Sequence, residues 1–189
     1  MDDASPKRTP AGADEFIALT ARLPVFQAPS ALAAIGRSFL DQVRDHASTE
    51  ELSELGAAGP ALVADFWAWG ARKLPDDQIV RLREAADRDL LEIIGPDMPF
   101  LVRSIMGEIA ERGIEVKALF HPIVTVARDG AGARLADGKT RAESYIQIHL
   151  EKLGPVRGKA LLLTPLRRDG LGQLFKAELA IAIRIQLRD

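Results

Sequence analysis

The side chains best suited to acid–base or metal chemistry are few in this sequence. It contains three histidines, His46, His121 and His149, and no cysteine. The lack of cysteine excludes a thiolate zinc site, a cysteine nucleophile and a disulfide framework. No serine or paired carboxylate stands at a spacing that would make a histidine part of a catalytic group. We therefore predict neither a catalytic residue nor a metal site and expect structural or solvent-facing histidines, with a metal shared between histidines as the weaker alternative.

Two short glycine-rich runs, residues 130–132 and 170–172, come nearest to a nucleotide-binding motif. A dinucleotide site would need G-x-G-x-x-G between a strand and a helix. The third glycine is replaced by Leu135 in the first run and by Phe175 in the second. The sequence also lacks a phosphate loop and a nucleophile elbow. The chain is thus predicted to bind no cofactor of its own.

The most informative local feature is the turn over residues 95–102, Gly-Pro-Asp-Met-Pro-Phe-Leu-Val, between a predicted strand and a predicted helix. Free amides at a helix N-terminus attract anions, including the carboxylate of an amino acid. Asp97, Met98, Phe100 and Leu101 therefore form a candidate amino-acid site. The alternative, which we favour, is that Asp97 caps the helix, because a carboxylate already there competes with an anionic ligand.

The elements around this turn alternate between strand and helix patterns. Residues 89–94 form a short run rich in leucine and isoleucine, which predicts a strand before the turn. The residues that follow the turn have helical spacing. Residues 114–128 alternate and are rich in β-branched side chains, which predicts a strand kinked at Pro122. Residues 143–150 predict its hairpin partner, and residues 129–140 predict a long, mobile tip between the two.

This order of elements is most of a βαββαβ unit, so we predict an α+β fold with an antiparallel sheet and helices on one face. We assign residues 76–189 to this domain. Weaker alternation over residues 78–83 predicts one more strand. The tail becomes atypical from about residue 154, but clean alternation over residues 179–187 predicts the closing strand.

The first part of the chain has helical patterns only. Residues 14–75 are predicted to be a helical segment, and residues 1–13, rich in proline and small residues, to be a flexible arm. Ser30 is a predicted N-cap, and Ser48 with Glu51 matches a capping box. If the chain proves to be monomeric, this segment or a further part of the protein would have to cover the sheet.

Composition narrows the class of protein. The chain has 189 residues, of which 47% are apolar, enough for one compact domain with a buried core. Its 25 basic and 27 acidic residues give a net charge of -2, which offers no general attraction to nucleic acid or anionic lipid. The amino terminus is acidic, and no apolar run reaches membrane-spanning length. We expect a soluble, cytoplasmic protein that binds neither nucleic acid nor membrane.

Two stretches, residues 89–132 and 142–153, resemble the amino-terminal region of the large bacterial NAD-specific glutamate dehydrogenases. The matching motifs are the D-M-P-F-L-V run over residues 97–102, an R-G pair, H-P-I-V from His121, and E-S followed by spaced isoleucines from Glu143. The same core resembles an ACT domain, a βαββαβ regulatory module in which amino acids often bind near the first strand-to-helix turn. Phe100 stands where many ligand-binding ACT domains carry glycine.

The resemblance implies a regulatory or assembly region without catalysis of its own. The complete enzymes convert L-glutamate, NAD and water to 2-oxoglutarate, ammonium and NADH, and their catalytic and NAD sites lie in regions absent from this chain. The implied partners are the rest of a dehydrogenase chain or another copy of this one, with an amino acid as a further effector. Because the sheet would have one uncovered face, we expect a homo-oligomer. The alternative is a free-standing ACT-type module that senses an amino acid and acts on a partner protein.

Overall fold

The computed structural model describes residues 11–27 and 30–163. The helices are α1 (Ala11–Ala21), α2 (Ser30–His46), α3 (Thr49–Glu54), α4 (Gly59–Trp69), α5 (Leu101–Glu111) and α6 (Gly154–Leu163). The strands are β1 (Ile79–Glu84), β2 (Asp89–Pro96), β3 (Val116–Phe120), β4 (Ile123–Arg128), β5 (Arg134–Leu135) and β6 (Thr140–Leu150). The predicted closing strand and the second glycine-rich run lie outside the described residues.

The strands form one antiparallel sheet in the order β1–β2–β6–β4–β5. β3 also pairs with β6, so β3 and β4 are successive pieces of one strand that breaks near Pro122. Proline supplies no backbone N–H to a ladder, which explains why the break falls there. The predicted α+β, ACT-like fold is therefore confirmed, including the kink and the strand predicted from the weak alternation over residues 78–83.

The outer strand β1 lies beside the first strand of the ACT-like unit. It pairs with β2 from Ile79 opposite Ile94 to Glu84 opposite Asp89. In a βαββαβ unit, the strand that follows the second helix is expected beside the first strand of the unit. Here the edge is filled from the amino-terminal side of the unit, by a strand that precedes β2 in the chain.

Helices cover both faces of the sheet. On one face, α5 and α6 contribute to an apolar cluster whose buried members include Leu91, Ile93, Leu101, Ile105, Ile109, Ile146, Ile148 and Leu161. On the other face, α1–α4 form a layer, called the helical layer below, whose shared core with the sheet includes Phe39, Phe66, Trp67, Ile94, Phe120, Val124 and Tyr145. The face predicted to await a partner is thus covered by the chain's own helices, because apolar side chains alternate to both sides of β2 and β6.

The predicted local features of the helical layer can be compared with the structure. The capping box is present: the Ser48 amide donates to Glu51 Oε2 (2.9 Å), and the Glu51 amide donates to Ser48 Oγ (3.1 Å). Glu51 also accepts a hydrogen bond from the Leu119 amide in β3 through Oε1 (3.4 Å), which ties α3 to that strand. Residues 11–13 of the predicted flexible arm lie in α1, and Ala13 is completely buried in the core. Across the described ranges, no helix combines the length and apolar character needed to span a membrane.

Candidate functional site

Asp97 follows β2 directly and is held by β6. Its amide donates to Ala142 O (3.1 Å), and its Oδ1 accepts a hydrogen bond from the buried hydroxyl of Ser144 (2.7 Å). The prediction that Asp97 caps the helix is wrong: α5 begins at Leu101, its N-cap is Phe100, and no side chain caps it. Asp97 lies four residues before the helix, while the hydroxyl of Ser144 is within reach.

His121, between the end of β3 and the start of β4, joins this group. Its Nε2 lies 3.1 Å from Ser144 Oγ. A hydroxyl has one proton, which Ser144 gives to the carboxylate of Asp97, so Nε2 must carry a proton and donate to the hydroxyl oxygen. Burial lowers the pKa of His121, and the charge of Asp97 opposes that effect. A neutral histidine that donates through Nε2 cannot remove the serine proton, so this group positions the turn and does not activate a nucleophile.

These three residues come from separate segments of the sequence. Asp97 lies in the D-M-P-F-L-V run, His121 in H-P-I-V, and Ser144 in E-S. The structure brings the three motifs into one hydrogen-bonded group, although they are up to 47 residues apart. Of the other predicted site residues, Leu101 is buried and Met98 is half-buried beside the turn.

Phe100 carries backbone strain at the start of α5. Its φ of 66° places it in the left-handed region, and it is the one described residue other than glycine with a positive φ. Its ring is also 66% exposed. The backbone therefore has the conformation that glycine adopts freely, although a phenylalanine occupies the position.

This strain predicts an inverted order of stability for two truncations. We expect Phe100→Gly to be more stable than Phe100→Ala by about 0.5–1 kcal/mol, because alanine keeps the left-handed penalty and glycine removes it. Urea unfolding of both variants measures the difference. The same pair at the exposed helical residue Ala110 is the control, where alanine should be the more stable. Equal stability of the two Phe100 variants would contradict the prediction.

Glu143, next to Ser144 in β6, points to the opposite face and is the centre of a buried ionic network. Arg128 donates to both of its carboxylate oxygens, from Nε (2.8 Å) and Nη2 (2.7 Å). Lys73 Nζ lies 3.2 Å from Glu143 Oε1. Both cations have almost no exposed side-chain surface. Burial lowers the pKa of Lys73, whereas the charge of Glu143 raises it.

The same network fixes the connection between the helical layer and the sheet. Lys73 Nζ also donates to three carbonyl oxygens of its own loop, those of Leu74 (2.9 Å), Pro75 (3.2 Å) and Asp77 (2.9 Å). The carbonyl oxygens of this loop thus surround the ammonium group of Lys73. Sequence reasoning missed both basic partners of Glu143, since only folding brings them together.

The loop between β4 and β6 is anchored to the same region. The Lys73 amide donates to Gly132 O (2.9 Å), and the Arg134 guanidinium stacks 3.5 Å from the ring centre of Trp67. Arg134 also donates to Trp67 O (2.8 Å) and lies 3.2 Å from the Tyr145 hydroxyl. A Cβ on Gly132 would lie 2.7 Å from the Lys73 carbonyl. Gly132 of the first glycine-rich run therefore serves close packing. The predicted mobile tip is fastened to Trp67 of the helical layer and to Lys73 in the segment that follows α4.

His149 is the most deeply buried histidine, packed edge-on against Phe120 with ring centres 5.5 Å apart. Burial, with further contributions from nearby arginines, lowers its pKa to about 3. The folded protein thus keeps His149 neutral, whereas the unfolded chain protonates it below its ordinary pKa of about 6.5. His149 therefore does not destabilise the folded state above its ordinary pKa, and it lowers the free energy of unfolding as the pH falls below that pKa.

We expect the free energy of unfolding to fall by about 2 kcal/mol between about pH 7.5 and about pH 5 because of His149 alone. Denaturant titrations at both pH values measure the loss. His149→Phe, which keeps an aromatic ring beside Phe120, should remove most of that pH dependence. The same substitution at the exposed His46 is the control. An unchanged pH dependence in His149→Phe would contradict the prediction.

The turn has the chemistry to bind a zwitterion. Asp97 is exposed and one carboxylate oxygen is engaged by Ser144, so the other can meet an ammonium group. The first amides of α5, which no side chain caps, can meet a carboxylate. By contrast, the described sheet pairs only in antiparallel fashion and offers no parallel strand–turn–helix unit for NAD. Nor do the described residues bring three metal-ligating side chains together.

Comparison with known protein families finds a match to much of the chain. A family model described as glutamate dehydrogenase, ACT1 domain, matches residues 39–159. The matched range runs from within α2 to within α6, so it includes the turn, the Ser144 group and the buried network. No curated protein and no solved structure matches the chain.

Proposed function

This chain belongs to the glutamate dehydrogenase ACT1 domain family, and from that premise we propose that it is a non-catalytic regulatory and assembly region of an NAD-specific glutamate dehydrogenase. The observation that carries the proposal is the group formed by Asp97, His121 and Ser144. Its residues lie in the three motifs that resemble those enzymes, and its hydrogen bonds leave no activated nucleophile or base. The residues that resemble those of the enzymes thus hold the turn in place, as a regulatory or assembly role requires.

The proposal assigns the chemistry to other parts of the enzyme. The reaction would be the oxidation of L-glutamate to 2-oxoglutarate and ammonium, with reduction of NAD bound outside the described residues. NAD does not fit the antiparallel sheet described here, so no step of the reaction is assigned to this chain. A cysteine-free sequence suits a reducing compartment, and we propose a cytoplasmic location.

Two assays test the regulatory role. The purified chain should produce no NADH from glutamate and NAD, and measurable turnover would overturn the non-catalytic assignment. In a complete NAD-specific glutamate dehydrogenase carrying this region, Ser144→Ala should change subunit assembly or effector response while leaving turnover of the assembled enzyme unchanged. Glu111→Gln, an exposed change at the far end of α5, is the matched control. A Ser144→Ala enzyme that matches the control in assembly and in effector response would argue against a regulatory role.

A second candidate function is amino-acid sensing by a free-standing module. The exposed carboxylate of Asp97 and the uncapped start of α5 favour it, because together they complement the two charges of an amino acid. Phe100, at the position where many ligand-binding ACT domains carry glycine, has a left-handed backbone conformation that glycine adopts freely.

Calorimetry with the common amino acids tests whether the chain can act as a sensor. A sensor should give saturable heat with at least one amino acid, and Asp97→Asn should abolish it because the ammonium group loses its counter-charge. Glu111→Gln should leave the binding intact. Silence across the whole set would eliminate the sensor and leave the structural role.

A further inference from the structure

One buried side chain beside the turn has a polar atom that the fold leaves unused. Gln78 lies directly before β1 and is 6% exposed. Its Nε2 is closed from solvent and has no hydrogen-bond partner among the described residues. A buried donor without an acceptor destabilises a fold, and a ligand that supplies the missing acceptor would account for it.

The side chain of Gln78 extends over the first residue of the turn. The register of β1 with β2 places it opposite Gly95. A Cβ on Gly95 would lie 3.5 Å from Gln78 Cα, 3.3 Å from its Cβ and 3.1 Å from its Cγ, so the side chain leans across Gly95. Gly95 also pairs with Ser144 of β6, and paired residues place their side chains on the same side of a sheet. The Gln78 amide thus lies on the side that carries the Ser144 hydroxyl and its partner Asp97.

The chemistry of the Gln78 amide determines which ligand side chain fits it. An amide offers both a donor, Nε2, and an acceptor, Oε1. A carboxamide on the ligand supplies the matching acceptor and donor, so the two amides can pair through two hydrogen bonds. A carboxylate can only accept, and an aliphatic side chain can do neither. The Gln78 amide is therefore fully satisfied by a second amide.

The charges near the turn also favour a neutral ligand side chain. Asp77 directly precedes Gln78, and both Asp77 and Asp97 are exposed. Arg103, in the first turn of α5, is exposed, and it lies two residues after the buried Leu101 and so on the other side of the helix. A second ligand carboxylate at Gln78 would approach acidic groups, whereas a carboxamide would not be repelled.

We infer that the turn selects an α-amino acid with a carboxamide side chain, glutamine or asparagine, and that Gln78 determines this specificity. Asp97 would meet the ammonium group, the first amides of α5 the α-carboxylate, and the Gln78 amide the carboxamide. The inference rests on the proposed amino-acid-sensing function and names the ligand class for that site. Because Nε2 is closed from solvent, the turn or the Gln78 side chain has to shift when the ligand binds.

Calorimetry of the full chain with glutamine, asparagine, glutamate, aspartate and alanine tests this specificity. Glutamine or asparagine should bind at least about tenfold more tightly than the corresponding acid. Gln78→Met, which keeps an unbranched side chain of similar length, should weaken binding of that carboxamide by about tenfold or more. Alanine, which has no side-chain amide, should bind both proteins alike. Gln27→Met, at an exposed site next to Phe26 of the helical layer, is the matched control and should keep the preference.

The results separate this inference from the sensing function. If no amino acid binds the wild type, the sensing function is eliminated and the inference with it. If amino acids bind the wild type without a preference for carboxamides, the inference alone is overturned. The same holds if Gln78→Met keeps the preference.

Thermal unfolding without ligand gives a second measurement. Because Gln78 Nε2 has no partner in the described fold, Gln78→Met should melt at the same temperature as the wild type or higher. A glutamine with a structural role would give the opposite result. A clear fall in the melting temperature would therefore overturn the inference, because the fold itself would then use the amide.

Discussion

Glu143→Gln is expected to lower the free energy of unfolding by about 3–5 kcal/mol, because it leaves two buried cations without their counter-charge. The side chains of Arg128 and Lys73 are 2% and 0% exposed, so water cannot replace the lost carboxylate. Both cations also hold the connection between the helical layer and the sheet. The variant should therefore loosen that connection as well as lose stability.

Chemical denaturation with tryptophan fluorescence measures this effect. Trp67 lies against Arg134 at the end of α4, so its emission should change when the connection opens. Glu111→Gln makes the same chemical change at an exposed site and should shift stability by no more than about 0.5 kcal/mol. A loss below about 1 kcal/mol in Glu143→Gln would show that the network is not needed for stability.

Phe39→Ala is expected to cost about 3–5 kcal/mol, the range for removing a large buried aromatic side chain. Phe39 in α2 lies between Trp67 of α4 and Tyr145 of the sheet, with ring centres at 4.8 and 5.7 Å. Its loss would create a cavity where the two layers meet. Because the helical layer and the sheet share this core, we expect them to unfold together. Fluorescence and circular dichroism should then report the same unfolding transition, in the wild type and in the variant.

The control for this cavity is Leu19→Ala. Leu19 lies in α1 and is 48% exposed, so its truncation should cost less than about 1 kcal/mol. If Phe39→Ala instead separated the helical and sheet transitions, the two layers would be independent folding units. The core shared by Phe39 and Tyr145 would then contribute little to cooperativity.

Much of the fold could be predicted because its signals are local. The capping box at Ser48, the kink at Pro122 and the alternation in the hairpin each depend on neighbouring residues, and each is found in the structure. The covered second face had a signal too. Leu90 and Ile94 fall on one side of this strand and Leu91 and Ile93 on the other, and a strand with apolar residues on both sides needs cover on both sides.

The site was harder to predict because its contacts join distant segments. Asp97 meets Ser144 across 47 residues, and no local pattern reveals that a hydroxyl will compete with the helix amides for its carboxylate. Arg128 meets Glu143 across only 15 residues, whereas Lys73 comes from the segment before β1. The resemblance to known motifs identified the right segments, but the geometry alone shows which side chains bind one another.

The position of β1 bears on when the protein can fold during its synthesis. Every described strand lies between Ile79 and Leu150, and β1 is joined to β2 by a turn of four residues. Because the amino-terminal side of the unit fills the edge beside β2, the ribosome delivers the helical layer first and all the described strands by residue 150. The nascent chain can then pair these strands and cover one face of β2 and β6 with the helical layer, and α6 follows directly to extend the cover of the other face. This order shortens the time that an apolar sheet is open to other chains.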